Sequence, residues 1–210
     1  MNSTIVTLKK QLRKEMAIKL SKLPNNELNR QSDLVFQKLK QMKEFQSSKN
    51  ISVYISMPTC EILTNKIIHD ILASDKNCFI PRCTKTTMDM VKISSMDDFN
   101  SLPTNKWNIP EPPLDEPREN ALDMEKGSGL DLILMPGVAF DKEKNRIGHG
   151  KGYYDRFIKE CAKWSKEHGA PRAKTVALSL NEQIVDSGVI PTEETDEKLD
   201  YILTPESVFH

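Results

Sequence analysis

A buried strand, a glycine-rich loop and the start of a helix follow one another in this chain of 210 residues. The strand is predicted from the run Leu130–Met135, which is apolar except for Asp131 and suits a strand covered on both faces. Glycine then occupies every second position from 148 to 152. From Tyr153 onward, apolar residues recur at steps of three and four, which predicts a helix beginning there (Phe157, Ile158, Cys161 and Trp164).

This order of elements suits the binding of phosphate. Glycines let backbone N–H groups face an anion, and the dipole of a helix favours negative charge at its first turn. The loop is neither a P-loop nor the dinucleotide fingerprint, because Tyr153 stands where the latter needs its third glycine. A phosphate site and an ordinary strand-to-helix turn both fit the spacing. The density of polar residues favours the first, because a plain turn needs none of them: Arg146, His149, Lys151, Tyr153, Tyr154 and Asp155.

The composition is that of an ordinary soluble protein with one hydrophobic core. The formal net charge is zero, which removes the electrostatic argument for nucleic acid or a membrane surface as a partner. No apolar run approaches the roughly 20 residues of a membrane span. The four cysteines are too few and too scattered for a disulfide framework, so we expect reduced thiols in a reducing compartment.

Charge is nevertheless unevenly distributed along the chain. Residues 1–22 hold six lysines and arginines against Glu15 alone, whereas residues 181–206 are strongly acidic. If both ends fold back to one site, that site has a cationic wall and an acidic wall. Metal-assisted chemistry on a polyphosphate could use both.

The first helix is predicted to begin after Thr7, with a buried stripe at every fourth residue (Leu8, Leu12, Met16 and Leu20). Lys9 and Arg13 are also four residues apart, so their side chains are neighbours. They could form a solvated flank of the helix or a paired clamp for an anion. The basic, acid-poor start also resembles a mitochondrial transit peptide, but the chain runs on into a second predicted helix without a cleavage-like break.

The remaining pattern alternates strands and helices, which predicts a mostly parallel sheet covered on both faces. Ile51–Ile55 is a predicted strand, and the loop Ser56–Glu61 lies at its carboxyl end, where α/β proteins usually place ligands. Thr64 is expected to cap the next helix. Pro81 is expected to end a strand that begins at Cys78, and Met88–Ile93 to form a hairpin with that strand. Further strands are predicted at 175–180 and 199–203.

Residues 99–129 are predicted to form a long, irregular connection rich in proline and acids. Trp107 is unusual in such a polar loop, because its ring should find a surface to pack on. It could anchor the loop on the protein's own surface or form a flat wall against a planar ligand.

The central stretch resembles the signature of the 5-formyltetrahydrofolate cyclo-ligase family, also called methenyltetrahydrofolate synthetases. The matching residues are Pro136-Gly137, Phe140-Asp141, Asn145-Arg146-Ile147-Gly148 and Gly150-Lys151-Gly152-Tyr153-Tyr154-Asp155. Other segments match in the same order along nearly the whole chain: Lys9 with Leu12-Arg13, Ser56-Met57 with Glu61, Phe79-Ile80-Pro81-Arg82, Met88-Asp89-Met90, Trp107-Asn108-Ile109-Pro110, and Pro191 with Asp196 and Asp200.

The resemblance implies a single-domain α/β fold over residues 1–210, a three-layer sandwich with a mostly parallel central sheet and an N-terminal helical part at 1–46. It implies an enzyme that uses ATP as co-substrate and Mg²⁺ to convert 5-formyltetrahydrofolate to 5,10-methenyltetrahydrofolate, ADP and phosphate. The expected partners are these small molecules, not nucleic acid or a membrane. A cytoplasmic monomer is expected, with a mitochondrial location open because of the basic N-terminus.

Residue roles follow from the same match. The expected ATP contacts are Lys9, Lys10, Gln11, Leu12 and Arg13 together with Arg146, Ile147, Gly148, His149, Gly150, Lys151, Gly152, Tyr153 and Tyr154. Of these, the catalytic charges are Lys9, Arg13, Arg146 and Lys151. The expected folate contacts are Ile55, Met57, Glu61 and Trp107, with the loop residues His149, Gly150, Lys151, Gly152 and Tyr153. The expected magnesium carboxylates are Asp155 and Asp196.

Two departures from the family pattern stand out. Cys83 occupies a position that is often aromatic, and His149 one that is often Arg or Tyr. Two other functional classes fit parts of the pattern. A non-catalytic folate or nucleotide binder would keep the glycine loop but lose the metal acids, and a sugar-phosphate isomerase would not need Lys9 or Arg13.

Overall fold

A computed structural model describes residues 3–210 as one α/β unit built on a seven-stranded sheet. The strands are β1 (Asn50–Val53), β2 (Asn77–Cys83), β3 (Met88–Ile93), β4 (Leu132–Met135), β5 (Ala139–Asp141), β6 (Arg146–Ile147), β7 (Lys174–Leu178), β8 (Ile184–Val185), β9 (Tyr201–Leu203) and β10 (Val208–Phe209). The helices are α1 (Ser3–Leu20), α2 (Asn25–Gln41), α3 (Lys43–Ser47), α4 (Asn65–Leu72), α5 (Met96–Ser101) and α6 (Tyr153–Glu167), with a short 3₁₀ helix at Asn181–Gln183.

The central sheet has the order β10-β9-β7-β4-β1-β2-β3. Its five inner strands are parallel, and only the edge strands β10 and β3 run antiparallel to their neighbours. A second sheet has the order β6-β5-β8. Its strands β5 and β6 lie between β4 and the glycine loop in chain order, and β8 follows β7. The prediction of a mostly parallel sheet is therefore confirmed.

Helices cover both faces of this sheet, as the pattern of β4 shows. Leu132 and Leu134 pack with α1, α2 and α4, whereas Ile133 and Met135 pack with α6. All four side chains are fully buried or nearly so. This explains why the strand has a continuous apolar sequence rather than an alternating one. The arrangement confirms the predicted three layers.

The first helix differs from its prediction in two respects. It already includes Ser3, because no glycine or proline precedes Thr7 in the described chain to stop it. Leu8 is 47% exposed, while the other three members of the predicted stripe are buried. Since four residues exceed one turn, a stripe read at every fourth position drifts around the helix, and Leu8 ends roughly 120° from Leu20.

Two local predictions in the first half of the sheet were wrong. Strand β2 continues through Pro81 to Cys83. The pairing of β2 with β1 ends at Phe79, so only β3 lies beside the proline. Thr64 occupies the N-cap position of α4 without capping it. Its hydroxyl donates to the carbonyl of Tyr54 instead and accepts from the N–H of Ser56.

The connection between α5 and β4 contains no helix and only isolated bridges. A half-buried arginine ties it to the rest of the fold. Arg118 donates to both carboxylate oxygens of Asp98, at 2.7 and 3.0 Å, and to Glu116 at 2.8 Å. These bonds from Arg118, with those from Ser94, lower the pKa of Asp98 to about 2. The ion pair thus joins α5 to the irregular segment.

We expect Asp98→Asn to weaken this joint in a pH-dependent manner. Because the pKa of Asp98 is depressed in the folded state, its stabilisation is complete above pH 4 and is lost as the pH falls towards 2. The variant should lose about 1–3 kcal/mol of unfolding free energy at pH 7, and the difference from wild type should shrink below pH 4. Urea unfolding at several pH values measures both quantities.

Asp97→Asn is the matched control, since Asp97 is the exposed neighbour in the same helical turn. Asp97→Asn should leave the pH dependence of the unfolding free energy the same as in wild type. A constant difference between Asp98→Asn and wild type from pH 7 to pH 2 would contradict the assignment.

Candidate active site

The glycine loop leads from β6 directly into the first turn of α6. Gly150 and Gly152 have left-handed backbones, with φ of 96° and 63°, and Gly152 is the N-cap of α6. A Cβ on Gly148 would lie 2.7 Å from a guanidinium nitrogen of Arg146. The loop is therefore glycine-rich for reasons of backbone angle and of close packing. The N–H groups of the first helical turn have no side-chain cap here.

The first helix lies over this loop. Arg13 donates from Nε to the carbonyl oxygen of Gly148 at 2.7 Å, and its guanidinium faces Gly150, where a Cβ would be 3.4 Å from the Arg13 Cζ. Burial lowers the pKa of Arg13, and the nearby carboxylate of Asp196 opposes that shift. Arg13 thus points into the site and does not belong to a solvated flank of α1.

Lys9 joins the same helix to the acidic segment near the end of the chain. Its ammonium lies 2.6 Å from a carboxylate oxygen of Asp196 and 3.3 Å from Glu193, and its side chain is only 12% exposed. Asp196 also accepts from the backbone N–H of Glu193 at 2.8 Å. The cationic and acidic walls predicted from the charge distribution therefore meet.

A second ion pair lies on the other side of the loop. Arg146 donates from one nitrogen to both carboxylate oxygens of Asp155, at 3.0 and 3.1 Å, and its side chain is only 4% exposed. Its Nε is buried without a partner among the described residues. The N–H of Glu197 approaches Asp155 at 3.4 Å. The carboxylate of Asp155 and the segment that carries Asp196 are thus neighbours.

His149 and Lys151 form the exposed part of the loop. The ammonium of Lys151 is exposed and has no ion-pair partner within residues 3–210. Desolvation by the surrounding chain lowers the pKa of His149, and the cations of Arg13 and Arg146 lower it further. Around neutral pH the imidazole is therefore mostly uncharged, and the positive charge at the loop comes from arginine and lysine.

The loop after β1 supplies the opposite wall. Ile55 is buried and Met57 half-buried, and the N–H of Met57 donates to the carboxylate of Glu61 at 2.6 Å. Glu61 is buried, and burial raises the pKa of this carboxyl from 4.5 to about 7, although the bond from Met57 opposes the shift. A buried acid that titrates near neutral pH is typical of functional sites.

The two tyrosines at the start of α6 have different surroundings. Tyr153 donates from its hydroxyl to the carbonyl oxygen of Thr84 at 2.8 Å, which ties the glycine loop to the turn between β2 and β3. Arg146 lies 5.7 Å from the centre of the Tyr154 ring. Burial raises the pKa of Tyr154, and the neighbouring Cys83 and Glu61 act in the same direction.

Trp107 lies on the proline-rich loop and is 60% exposed. Its ring contacts the ammonium of Lys106, 4.3 Å from the ring centre, so it does not anchor the loop on the protein's own core. The loop is instead held by Glu111, which accepts from the backbone N–H of Cys83 at 2.9 Å and from the amide of Asn105 at 3.0 Å. The indole ring is thus available to a ligand.

A family comparison identifies this arrangement. The model of the 5-formyltetrahydrofolate cyclo-ligase family matches residues 6–205. The chain belongs to this family. The cyclo-ligase of Mus musculus is 41% identical over 206 residues, which is 97% of each chain, and the probable cyclo-ligase of Caenorhabditis elegans is 42% identical over 96% of this chain and 94% of its own.

A solved relative agrees with the sequence comparison. The NMR structure of Aquifex aeolicus 5,10-methenyltetrahydrofolate synthetase covers 96% of this chain and 91% of its own, with a TM-score of 0.73 and 27% identity. The predictions of the family, of its fold and of an enzyme of this class are therefore confirmed.

Three of the expected ATP contacts, all on α1, make no hydrogen bond or ion pair with the glycine loop in the described part of the chain. Lys10 and Gln11 are exposed, and Gln11 bonds to Glu15 on α1 itself, whereas Leu12 is buried in the core. Sequence reasoning also missed Glu193 as a partner of Lys9. Its spacing of three residues from Asp196 in an acidic run was the available signal.

The described residues contain neither a ready-made metal-binding cluster nor a membrane-spanning helix. Within residues 3–210, no cluster of three or more His, Cys, Asp and Glu side chains is arranged to bind a metal ion by itself. Over the same range, no helix combines the length and apolar composition needed to cross a membrane.

Glu61→Gln should stabilise the protein more as the pH rises. The folded state holds the Glu61 proton up to a pKa of about 7, against an ordinary value of 4.5, so wild type loses stability between these values. An amide can still accept from Met57 but does not titrate. The unfolding free energy of the variant should therefore rise relative to that of wild type between pH 5 and pH 8, by at most about 3 kcal/mol.

Urea unfolding curves for both proteins across this range measure the gain. Glu125→Gln, an exposed substitution of the same kind, should give a difference from wild type that does not change with pH. If the difference in unfolding free energy between Glu61→Gln and wild type also does not change with pH, the raised pKa of Glu61 is contradicted.

Proposed function

We propose that this protein catalyses the ATP-dependent ring closure of 5-formyltetrahydrofolate to 5,10-methenyltetrahydrofolate, with release of ADP and phosphate. The observation that carries the proposal is the convergence of α1, the glycine loop and the acidic segment at the first turn of α6. Lys9 and Arg13 reach this point from one end of the chain and Asp196 from the other. Family membership supplies the substrate class.

The triphosphate binds on the glycine-loop side. Backbone N–H groups at the start of α6 and the helix dipole receive an anion there. Arg13, Arg146 and Lys151 add positive charge around the same loop, and Lys9 adds it from α1. Phosphoryl transfer requires mainly positioning and charge neutralisation, and these groups provide both.

Asp155 and Asp196 fit a magnesium ion that arrives with the nucleotide. Mg²⁺ in nucleotide sites commonly takes one or two protein carboxylates and completes its shell with phosphate oxygens and water. Asp155 and the segment that carries Asp196 are neighbours, which suits that requirement. Each carboxylate is now balanced by a cation, Arg146 or Lys9. When bound, the metal neutralises charge on the phosphate oxygens.

The folate binds between the loop after β1 and the proline-rich loop. Glu61 accepts hydrogen bonds from N–H groups of the pterin, which favours the ionised carboxylate. Ile55 and Met57 provide apolar contact, and the exposed face of Trp107 packs on a planar part of the substrate. Residues 149–153 separate this pocket from the nucleotide and contact both substrates.

The reaction then proceeds in two steps without a covalent enzyme intermediate. The formyl oxygen attacks the terminal phosphorus of ATP, so that a P–O bond forms and ADP leaves. The second nitrogen of the folate next attacks the activated formyl carbon and loses its proton, and the C–O bond breaks to release phosphate. Arg13, Arg146 and Lys151 stabilise the negative charge on the transferred group.

We further propose a monomer in a reducing compartment, with the cytoplasm as the expected location. The four cysteines are free thiols, two of them fully buried. The basic first helix packs in the core through Leu12, Met16 and Leu20, which favours a role in the fold over that of a removable transit peptide.

A direct assay tests the proposed reaction. Purified protein with 5-formyltetrahydrofolate, ATP and Mg²⁺ should show a rise in methenyl-folate absorbance together with stoichiometric ADP. Omission of ATP should abolish the signal. Tight folate binding without any ATP turnover would instead identify a binding protein and overturn the proposal.

Lys9→Ala and Arg13→Ala should each raise the KM for ATP by about tenfold or more, since each removes a charged contact worth roughly 1.5–3 kcal/mol. The melting temperature should fall by only a few degrees, because each variant loses bonds worth about 1–2 kcal/mol of unfolding free energy in a protein of this length. Lys14→Ala is the matched control, since Lys14 is an exposed neighbour without an ion pair in the described chain.

Initial rates over a range of ATP concentrations and thermal unfolding separate the two effects. The assignment fails for either variant if its melting temperature collapses while its ATP dependence equals that of Lys14→Ala.

A further inference from the structure

The hydroxyl of Tyr154 is buried and has no hydrogen-bond partner among the described residues. The other three tyrosines of the chain all have one. Tyr54 donates to the carbonyl of Ile62, Tyr153 to that of Thr84, and Tyr201 to the carboxylate of Glu44. A buried hydroxyl without a partner costs free energy, so its persistence at the start of α6 calls for a functional explanation.

This hydroxyl lies on the side of the site where we propose that the folate binds. The buried carboxyl of Glu61 and the thiol of Cys83 both act on it electrostatically. Arg146 lies 5.7 Å from the ring centre and lowers the pKa of the hydroxyl, but it makes no hydrogen bond to it among the described residues. The ring also packs against both hydrophobic clusters, one on each face of the sheet. Packing therefore holds Tyr154 in place, and Glu61 is near enough to raise the pKa of its hydroxyl.

Glu61 has unused hydrogen-bonding capacity at the same point. Within residues 3–210, its carboxylate accepts only from the N–H of Met57, although a carboxylate offers about four acceptor sites. The two side chains are complementary in kind, because an ionised carboxylate only accepts whereas a phenol can donate. A ligand that satisfies both needs N–H donors next to an oxygen acceptor.

We propose that Tyr154 determines specificity on the folate side, with its hydroxyl donating to the carbonyl oxygen of the pterin's lactam edge while Glu61 accepts from the N–H groups of that edge. This inference rests on the proposed function for the identity of the substrate. It moves Tyr154 from the nucleotide contacts, where the sequence match had placed it, to the other substrate.

Binding at this point requires a local opening. The Tyr154 hydroxyl and Glu61 are both closed off from solvent, and the segment Ser56–Glu61 runs beside them. The substrate therefore reaches the pair only when that segment shifts. The lactam edge then supplies the partners that both groups lack in the closed structure.

Tyr154→Phe in the full chain tests the inference, with Tyr201→Phe as the matched control. Binding of 5-formyltetrahydrofolate and of ATP is titrated separately by calorimetry, and melting temperatures are recorded. Tyr154→Phe should raise the Kd for 5-formyltetrahydrofolate about tenfold, the effect of one lost hydrogen bond in a closed site, and leave the Kd for ATP within twofold. Its melting temperature should not fall, because the lost hydroxyl had no partner.

Tyr201→Phe should behave in the opposite way, with a lower melting temperature and unchanged affinities, because its hydroxyl is bonded to Glu44 at 2.7 Å. An unchanged Kd for 5-formyltetrahydrofolate in Tyr154→Phe, or a rise in the Kd for ATP alone, would overturn the inference. Wild-type turnover decides the proposed function separately. A protein that binds 5-formyltetrahydrofolate through Tyr154 but does not turn it over would refute the activity and support the specificity role.

Discussion

The contact of Arg13 with the backbone of Gly148 is the interaction on which the site depends. It brings α1 to the first turn of α6, which begins at Tyr153, 140 positions after Arg13. The contact is possible because the loop from 148 to 152 carries no side chain at every second position. Once α1 lies there, Leu12, Met16 and Leu20 are buried on one side of it, and Lys9 and Arg13 reach the glycine loop and the acidic segment.

Charge neutralisation explains why these partners occur in pairs. A single buried cation or carboxylate is costly, whereas a hydrogen-bonded pair is tolerated. Lys9 balances Asp196, and Arg146 balances Asp155. Two cations of the site are thus balanced by carboxylates. In the proposed reaction, a polyphosphate takes up the cations and its magnesium takes up the carboxylates, so each group exchanges one ionic partner for another.

The sequence predicted best what short-range physics controls. The apolar run of β4, the glycine loop and the start of α6 depend on neighbours within a few positions, and each lies where predicted. The errors arose where a distant contact overrides a local preference. Pro81 stays in a strand because β3 accompanies it, and Thr64 bonds to Tyr54 instead of capping α4. The ion pair between Lys9 and Asp196 spans 187 positions, so only the charge asymmetry of the two ends hinted at it.

A double-mutant cycle on Lys9→Met and Asp196→Asn tests most directly whether the two ends of the chain meet at this site. Unfolding free energies are measured for wild type, both single variants and the double variant, with Lys14→Met and Asp196→Asn as the control cycle. We expect a coupling energy of about 0.5 kcal/mol or more for Lys9 and Asp196, and additive effects in the control cycle. Additive effects of Lys9→Met and Asp196→Asn would contradict it, because the two side chains would then not interact in solution.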